Sequence, residues 1–197
     1  LHRLIRRQRQ MCIRDRSQTT GQDSSISTGT GSIEAKMTAS VRTGLDRFTF
    51  PSGQAQSLVF DMKNNFTERI SSSLSVSDLS DGRKAISGSF AGQFNGAKYT
   101  MYYYATTSSA VKTLSTWGDA GTLSSALNQS GTDTGAVLTF DPSAGQTIGL
   151  DVTVSPSSAE QAKIDQSAEI ASKSFADIQQ QAYDSWNDVL GRVQVTA

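Results

Sequence analysis

The 197-residue sequence holds one cysteine, Cys12, and one histidine, His2. A disulfide within the chain is therefore impossible, and a histidine-containing catalytic triad or a histidine-rich zinc site lacks its raw material. Charge is also scarce. Asp, Glu, Lys and Arg make up 18% of the residues, and 18 cations balance 18 anions to a net charge of zero. That balance removes the basic face that would release counterions from nucleic acid, and the polybasic patch that would hold an anionic membrane. Neither partner is expected. No run of 18 apolar residues exists to form a membrane-spanning helix. Hydrophobic residues reach only 36%, and Ser, Thr, Gly, Asn and Gln fill the deficit. This mixture suits a turn-rich extracellular β protein. A disordered chain would carry a strong net charge and few aromatics, whereas Tyr, Phe and Trp recur through the middle here.

The three prolines, Pro51, Pro142 and Pro156, mark ends of patterned stretches. Before them all lies a segment of different composition. Leu1 to Arg16 (LHRLIRRQRQMCIRDR) holds six arginines, the only cysteine and the only histidine. It has no apolar region of the kind an export signal needs, and MCIRDR resembles translated sequencing-adapter read-through. Residues 1–16 are therefore expected to be foreign to the domain.

From Ile33 the pattern has period two. Ile33, Ala35, Met37, Ala39 and Val41 alternate with Glu34, Lys36, Thr38, Ser40 and Arg42, which predicts a half-buried strand. Further strands are expected at 45–50, 57–61, around Leu74 and Val76, at 84–90, 99–105, 110–116, 136–141 and 148–154. Asp81-Gly82 is a tight-turn signal between two of them. About nine or ten strands at roughly ten-residue spacing predict an antiparallel β-sandwich or barrel.

After Pro156 the periodicity becomes helical. Ser158 followed by Gln161 is a capping-box arrangement that opens a helix over 159–171. Phe175, Ile178, Ala182, Trp186 and Val189 share one face of a second helix. Gly191 ends it, as a glycine taking a left-handed conformation would. Val193 and Val195 read as the start of another extended segment. The fold class is thus mainly β, an antiparallel sandwich followed by two C-terminal helices.

Several segments, in order, resemble the N-terminal domain of glycoside hydrolase family 92. Val41 to Pro51 (VRTGLDRFTFP) resembles a family segment with a basic residue, a glycine and an Arg-Phe-aromatic-Phe-Pro-like ending. Leu58 to Asn64 looks like the next strand, Gly88 to Phe94 (GSFAGQF) resembles a G-x-F-type turn and strand, and Tyr99 to Tyr104 resembles an aromatic strand. Val152 to Ala162 (VTVSPSSAEQA) is similar to a V-x-x-S-F-[IV]-S-x-E-Q-A signature, with Pro156 where the family has an aromatic. Phe175 to Val195 is similar to the helix that follows. The resemblance implies a supersandwich-like domain over 17–155, truncated at its start so that strands preceding Ile33 are absent. It makes 156–197 a helical linker towards an (α/α)6 catalytic domain outside this sequence. It also implies a secreted or periplasmic, calcium-dependent, inverting exo-α-mannosidase as the parent, acting on mannose-containing glycans, with its active site between the two domains. The sandwich would support the barrel and form one wall of the mannoside cleft. Calcium belongs to the full-length parent and is not expected in this chain.

An inverting glycosidase needs an acid and a base about 6.5–9.5 Å apart, with room for water. Glu34, Asp46, Asp61, Glu68, Asp119, Asp133, Asp151, Glu160 and Glu169 are carboxylates of the right type, but none sits in a catalytic motif, so no catalytic and no metal-binding residue is assigned. Asp46 beside Arg47 reads as an ion pair, and Glu160 and Glu169 as helix caps or solvated groups. Trp117-Gly118-Asp119 is the candidate substrate-binding motif: the ring could stack on a sugar while Asp119 meets its hydroxyls. Asn65 and Asn128 begin glycosylation sequons. The competing function is a free-standing carbohydrate-binding module or adhesin, for which the helical tail has little use.

Overall fold

The computed structural model describes residues 22–28, 31–62, 68–142 and 147–192. Eleven strands appear: β1 (Gln22–Thr28), β2 (Gly31–Ala39), β3 (Thr43–Thr49), β4 (Gln56–Asp61), β5 (Glu68–Asp78), β6 (Lys84–Phe94), β7 (Ala97–Thr107), β8 (Val111–Trp117), β9 (Asn128–Gly131), β10 (Gly135–Phe140) and β11 (Thr147–Ser155). Two helices follow, α1 (Ala159–Ile170) and α2 (Phe175–Leu190). The strands form an eight-stranded sheet, ordered β1-β2-β3-β11-β7-β6-β5-β9, and a three-stranded sheet, β4-β10-β8. Every pairing is antiparallel.

Alternation assigns each face of the large sheet. On β7, Tyr103 and Ala105 join the sandwich core, and on β11 so do Ile148, Leu150, Val152 and Val154. The small sheet closes that core with Ala136, Leu138 and Phe140. The opposite face receives the helices: Gln166 of α1 donates to the backbone carbonyls of Tyr104 and Asp151 and accepts from Thr106. The molecule is therefore layered as small sheet, large sheet, helices. Gly88 marks a tight point of the core. The Tyr103 hydroxyl crosses it to donate to the Ser73 carbonyl at 2.8 Å. A Cβ at Gly88 would lie 2.8 Å from that hydroxyl and overlap the Ser73 carbonyl.

Several expectations need correction. Of the apolar set on β2, Ala35 is buried, but Met37 is exposed and Val41, past the strand end, is 90% exposed. The small sheet does not reach that end, so buried positions move to the helix side, where Thr38 sits opposite Leu45. A strand, β1, does precede Ile33. Gly88 to Phe94 contains no turn. It lies inside β6, and the chain reverses at Asn95-Gly96, with φ of 49° and 82°. An Asn-Gly pair with both residues left-handed is the favoured two-residue hairpin turn. Gly82, at φ 80°, does turn the chain as expected.

At the helices, Ser158 accepts from the Gln161 backbone N–H at 3.0 Å, but the Gln161 amide turns to Asp165 instead of closing a capping box. The closed box is at α2, where the Ser174 hydroxyl and the Asp177 carboxylate exchange bonds with each other's backbone N–H. Gly191 is not left-handed, with φ −71°. The left-handed residue is Ser172, φ 63°, between the helices. Val193 and Val195 lie outside the described residues.

Candidate functional site

The candidate motif sits where β8 leaves the small sheet. Trp117 pairs with Gly135 of β10, and a Cβ at Gly135 would fall within its indole ring. Only glycine leaves room for the ring against that strand. The indole N–H donates to Asp133 at 3.0 Å. Asp119 then closes the loop before β10: one carboxylate oxygen accepts from the Thr132 N–H at 2.6 Å, the Thr132 hydroxyl at 3.0 Å and the Asp133 N–H at 2.8 Å. Its carboxyl packs against Gly131, where a Cβ would come within 2.5 Å. Gln129 ties the same loop to Thr116 and Ser124. Trp117 and Asp119 are thus brought into one constellation with Asp133, and these bonds hold the loop end itself. Asp133, read from the sequence only as a carboxylate, is the member that joins the two.

The other carboxylates are dispersed. Glu34 pairs with Lys36 at 3.4 Å. Arg47 does not pair with the Asp46 carboxylate. It donates to Asp151 at 2.7 Å and lies over the Phe175 ring. Asp46 faces the other way, between Met37 and Leu150 in the register. Burial raises its pKa above the ordinary aspartate value, Arg47 opposes the rise and Asp151 adds to it. Asp46 and Asp151 lie on opposite faces of the sheet, so they do not form an acid–base pair across a substrate. Glu160 lies in the first turn of α1. Asn128 opens β9 opposite Ser75, while Asn65 lies outside the described residues. Among the described residues, no group of three or more His, Cys, Asp or Glu side chains could hold a metal.

Glu169 is not a solvated helix residue. One of its oxygens accepts from the Ser40 hydroxyl, the Arg42 N–H at 3.1 Å and the Thr43 hydroxyl at 3.0 Å. Arg42 reaches Asp165 at 2.6 Å, and this bond, together with that from Gln161, lowers the Asp165 pKa. α1 is thereby fastened to the β2–β3 turn. α2 is held differently. Ile178 is fully buried, while Trp186 is 51% exposed and Tyr183, Val189 and Leu190 are similarly open. A groove runs from Ala39, Ser40 and Val41 to Ile178, Ala182 and Trp186.

Residues 15–155 match the model of the glycosyl hydrolase family 92 N-terminal domain. The chain belongs to glycosyl hydrolase family 92. It is 44% identical to the family 92 glycosyl hydrolase ccman5, with a TM-score of 0.83, and the match covers 90% of this chain and 24% of that one. A family 92 α-mannosidase from Bacteroides thetaiotaomicron shares the fold at 21% identity and TM-score 0.75, covering 90% of this chain and 25% of its own. That mannosidase has also been solved with mannoimidazole. An inverting family 92 mannosidase from the same species matches at 22% identity and TM-score 0.71, over 90% of this chain and 24% of its own. A search of curated proteins gave no match. This family 92 domain therefore spans about a quarter of the length of its solved relatives.

Proposed function

We propose that this domain is the non-catalytic N-terminal sandwich of a secreted, calcium-dependent, inverting α-mannosidase, and that the open face of α2 seats the catalytic domain. The observation that carries the reading is that face. Tyr183, Trp186, Val189 and Leu190 are large, about half exposed and confined to the last two turns of one helix. Large apolar residues grouped in this way mark an interaction surface, whereas single ones do not. The loop end built by Trp117, Asp119 and Asp133 would then border the mannoside cleft, with Asp119 shaping the loop and the indole face meeting the sugar. Calcium and the acid–base pair would come from the catalytic domain.

The test is reconstitution. The 197-residue chain is mixed with the catalytic domain of the 44%-identical relative, supplied as a separate polypeptide, and run on size exclusion. The two should co-elute, and the double variant Trp186→Ser, Leu190→Ser should not. The chain alone, with calcium, should hydrolyse no mannoside. Turnover by the chain alone, or co-elution untouched by the double variant, would refute the reading.

A further inference from the structure

The outer face of the large sheet carries a second cleft, of about 530 Å³, within the roughly 300–1,000 Å³ typical of small-molecule sites. Tyr104 and Asp151 form its floor. Lys163, Ser167 and Ile170 of α1 form one wall, and Leu79 and Arg83 of the β5–β6 turn form the other. The floor is fixed by Gln166, which is buried and bonded to Thr106 and to the carbonyls of Tyr104 and Asp151. By contrast, the Lys163 ammonium and the Tyr104 hydroxyl have no partner among the described residues. Neither belongs to the loop end at Trp117 or to the α2 groove.

The chemistry of the lining narrows the ligand. A multiply charged anion is disfavoured: Arg83 is engaged by Asp81 at 2.6 Å and Asp151 by Arg47 at 2.7 Å, which leaves Lys163 as the single uncompensated charge of the lining. A purely apolar ligand would leave the half-buried Tyr104 hydroxyl without a partner, while the exposed Lys163 ammonium stayed in water. A neutral polyol with one apolar face satisfies both conditions: its C–H face meets Tyr104, Leu79 and Ile170, and its hydroxyls meet Lys163, Ser167 and the Tyr104 hydroxyl. We propose that this cleft is a pyranose-binding site of the sandwich itself, formed without the catalytic domain. Its preference for a mannoside rests on the function proposed above.

The test is an NMR titration of the full 197-residue chain with methyl α-D-mannopyranoside. Saturable shifts are expected at the amides of Thr106, Lys163 and Gln166. Lys163→Ala and Tyr104→Phe should each weaken binding roughly fivefold, the worth of one hydrogen bond, with melting temperature unchanged. Absence of saturable shifts in the cleft with this sugar and with methyl α-D-glucopyranoside, equal binding by both variants, or displacement of sugar by inorganic phosphate would overturn the proposal. Binding of the glucoside but not the mannoside would overturn the mannoside preference alone. Neither result depends on α2, so failure here is distinguishable from failure of the reconstitution.

Discussion

Replacing Ile178 by alanine separates what holds α2 from what holds the sandwich. α2 has 16 residues, and an isolated helix of about that length is marginal in water. Its docking therefore depends on contacts with the sheet side. Ile178 is the buried residue of the helix, and burying such a side chain contributes about 1.5–3 kcal/mol. Arg47 over the Phe175 ring, 5.7 Å to its centroid, adds about 0.5–1 kcal/mol. The substitution removes about 2–4 kcal/mol, including the cavity it leaves. That is comparable to the whole docking energy, so α2 should detach and fray. Ile178 is not part of the sandwich core, so the sheets should remain. Hydrogen exchange read by mass spectrometry should show peptides within 175–190 losing protection while those of α1, β6 and β7 keep theirs. Retained protection in α2, or loss of protection in α1 and the sheets in step with it, would refute this account.

Other substitutions probe the sandwich and its loop end. Gly88→Ala should cost about 3 kcal/mol or more, because the Ser73 carbonyl and the Tyr103 hydroxyl cannot both yield to a Cβ, and urea unfolding would measure it. Asp119→Ala removes an acceptor shared by three donors. The site is solvent-exposed, so the loss should be about 1 kcal/mol, accompanied by a change in Trp117 fluorescence as the loop loosens. An unchanged spectrum would argue against the latch. Asp46→Asn should stabilise the protein at neutral pH. Burial raises the folded pKa of Asp46, so the unfolded chain loses its proton first as pH rises past the ordinary value of 3.8. Stability then falls until the folded state has also ionised. The gain from asparagine should be complete at pH 7 and absent below the ordinary value. A constant gain across that range in thermal melts would contradict it.

The strands were legible because the period-two pattern survives wherever one face is buried, as over Ile148 to Val154. It failed on β2, where Met37 and Val41 continue the pattern past the edge of the small sheet. Burial there depends on where another sheet ends, which local alternation does not encode. β9 was missed because Asn128 to Gly131 (NQSG) has no apolar residue and is recruited only by pairing with β5. The hairpin at Asn95-Gly96 is encoded by that dipeptide between two strands, although the resemblance of Gly88 to Phe94 to a G-x-F-type turn points to an earlier reversal. The loop-end constellation was half legible. Trp117 and Asp119 are neighbours in sequence, whereas Asp133 reaches them only through the turn between β9 and β10. The cleft above Tyr104 had no signature, since its lining comes from four elements and converges only in three dimensions.

The two helices read differently in the sequence, one opening on a Ser158 cap and the other carrying an apolar face, and they are attached by different physics. α1 has little apolar surface to offer: its buried residues are Ala162 and Gln166. It is fixed instead by directional bonds from Glu169, Asp165 and Gln166 to the β2–β3 turn and the sheet. Such bonds specify one orientation and leave only an isolated exposed apolar side chain, Ile164, behind. α2 makes few polar bonds to the sheets and carries more apolar surface than the sandwich covers. An apolar face can exchange one cover for another at little cost, because burial is non-directional and scales with area. α1 is thus suited to being a permanent part of the domain, and α2 to meeting a further surface. Exchanging the two modes would test the distinction: Glu169→Ala should loosen α1 and with it the cleft above Tyr104, while leaving the apolar face of α2 and its docking in place.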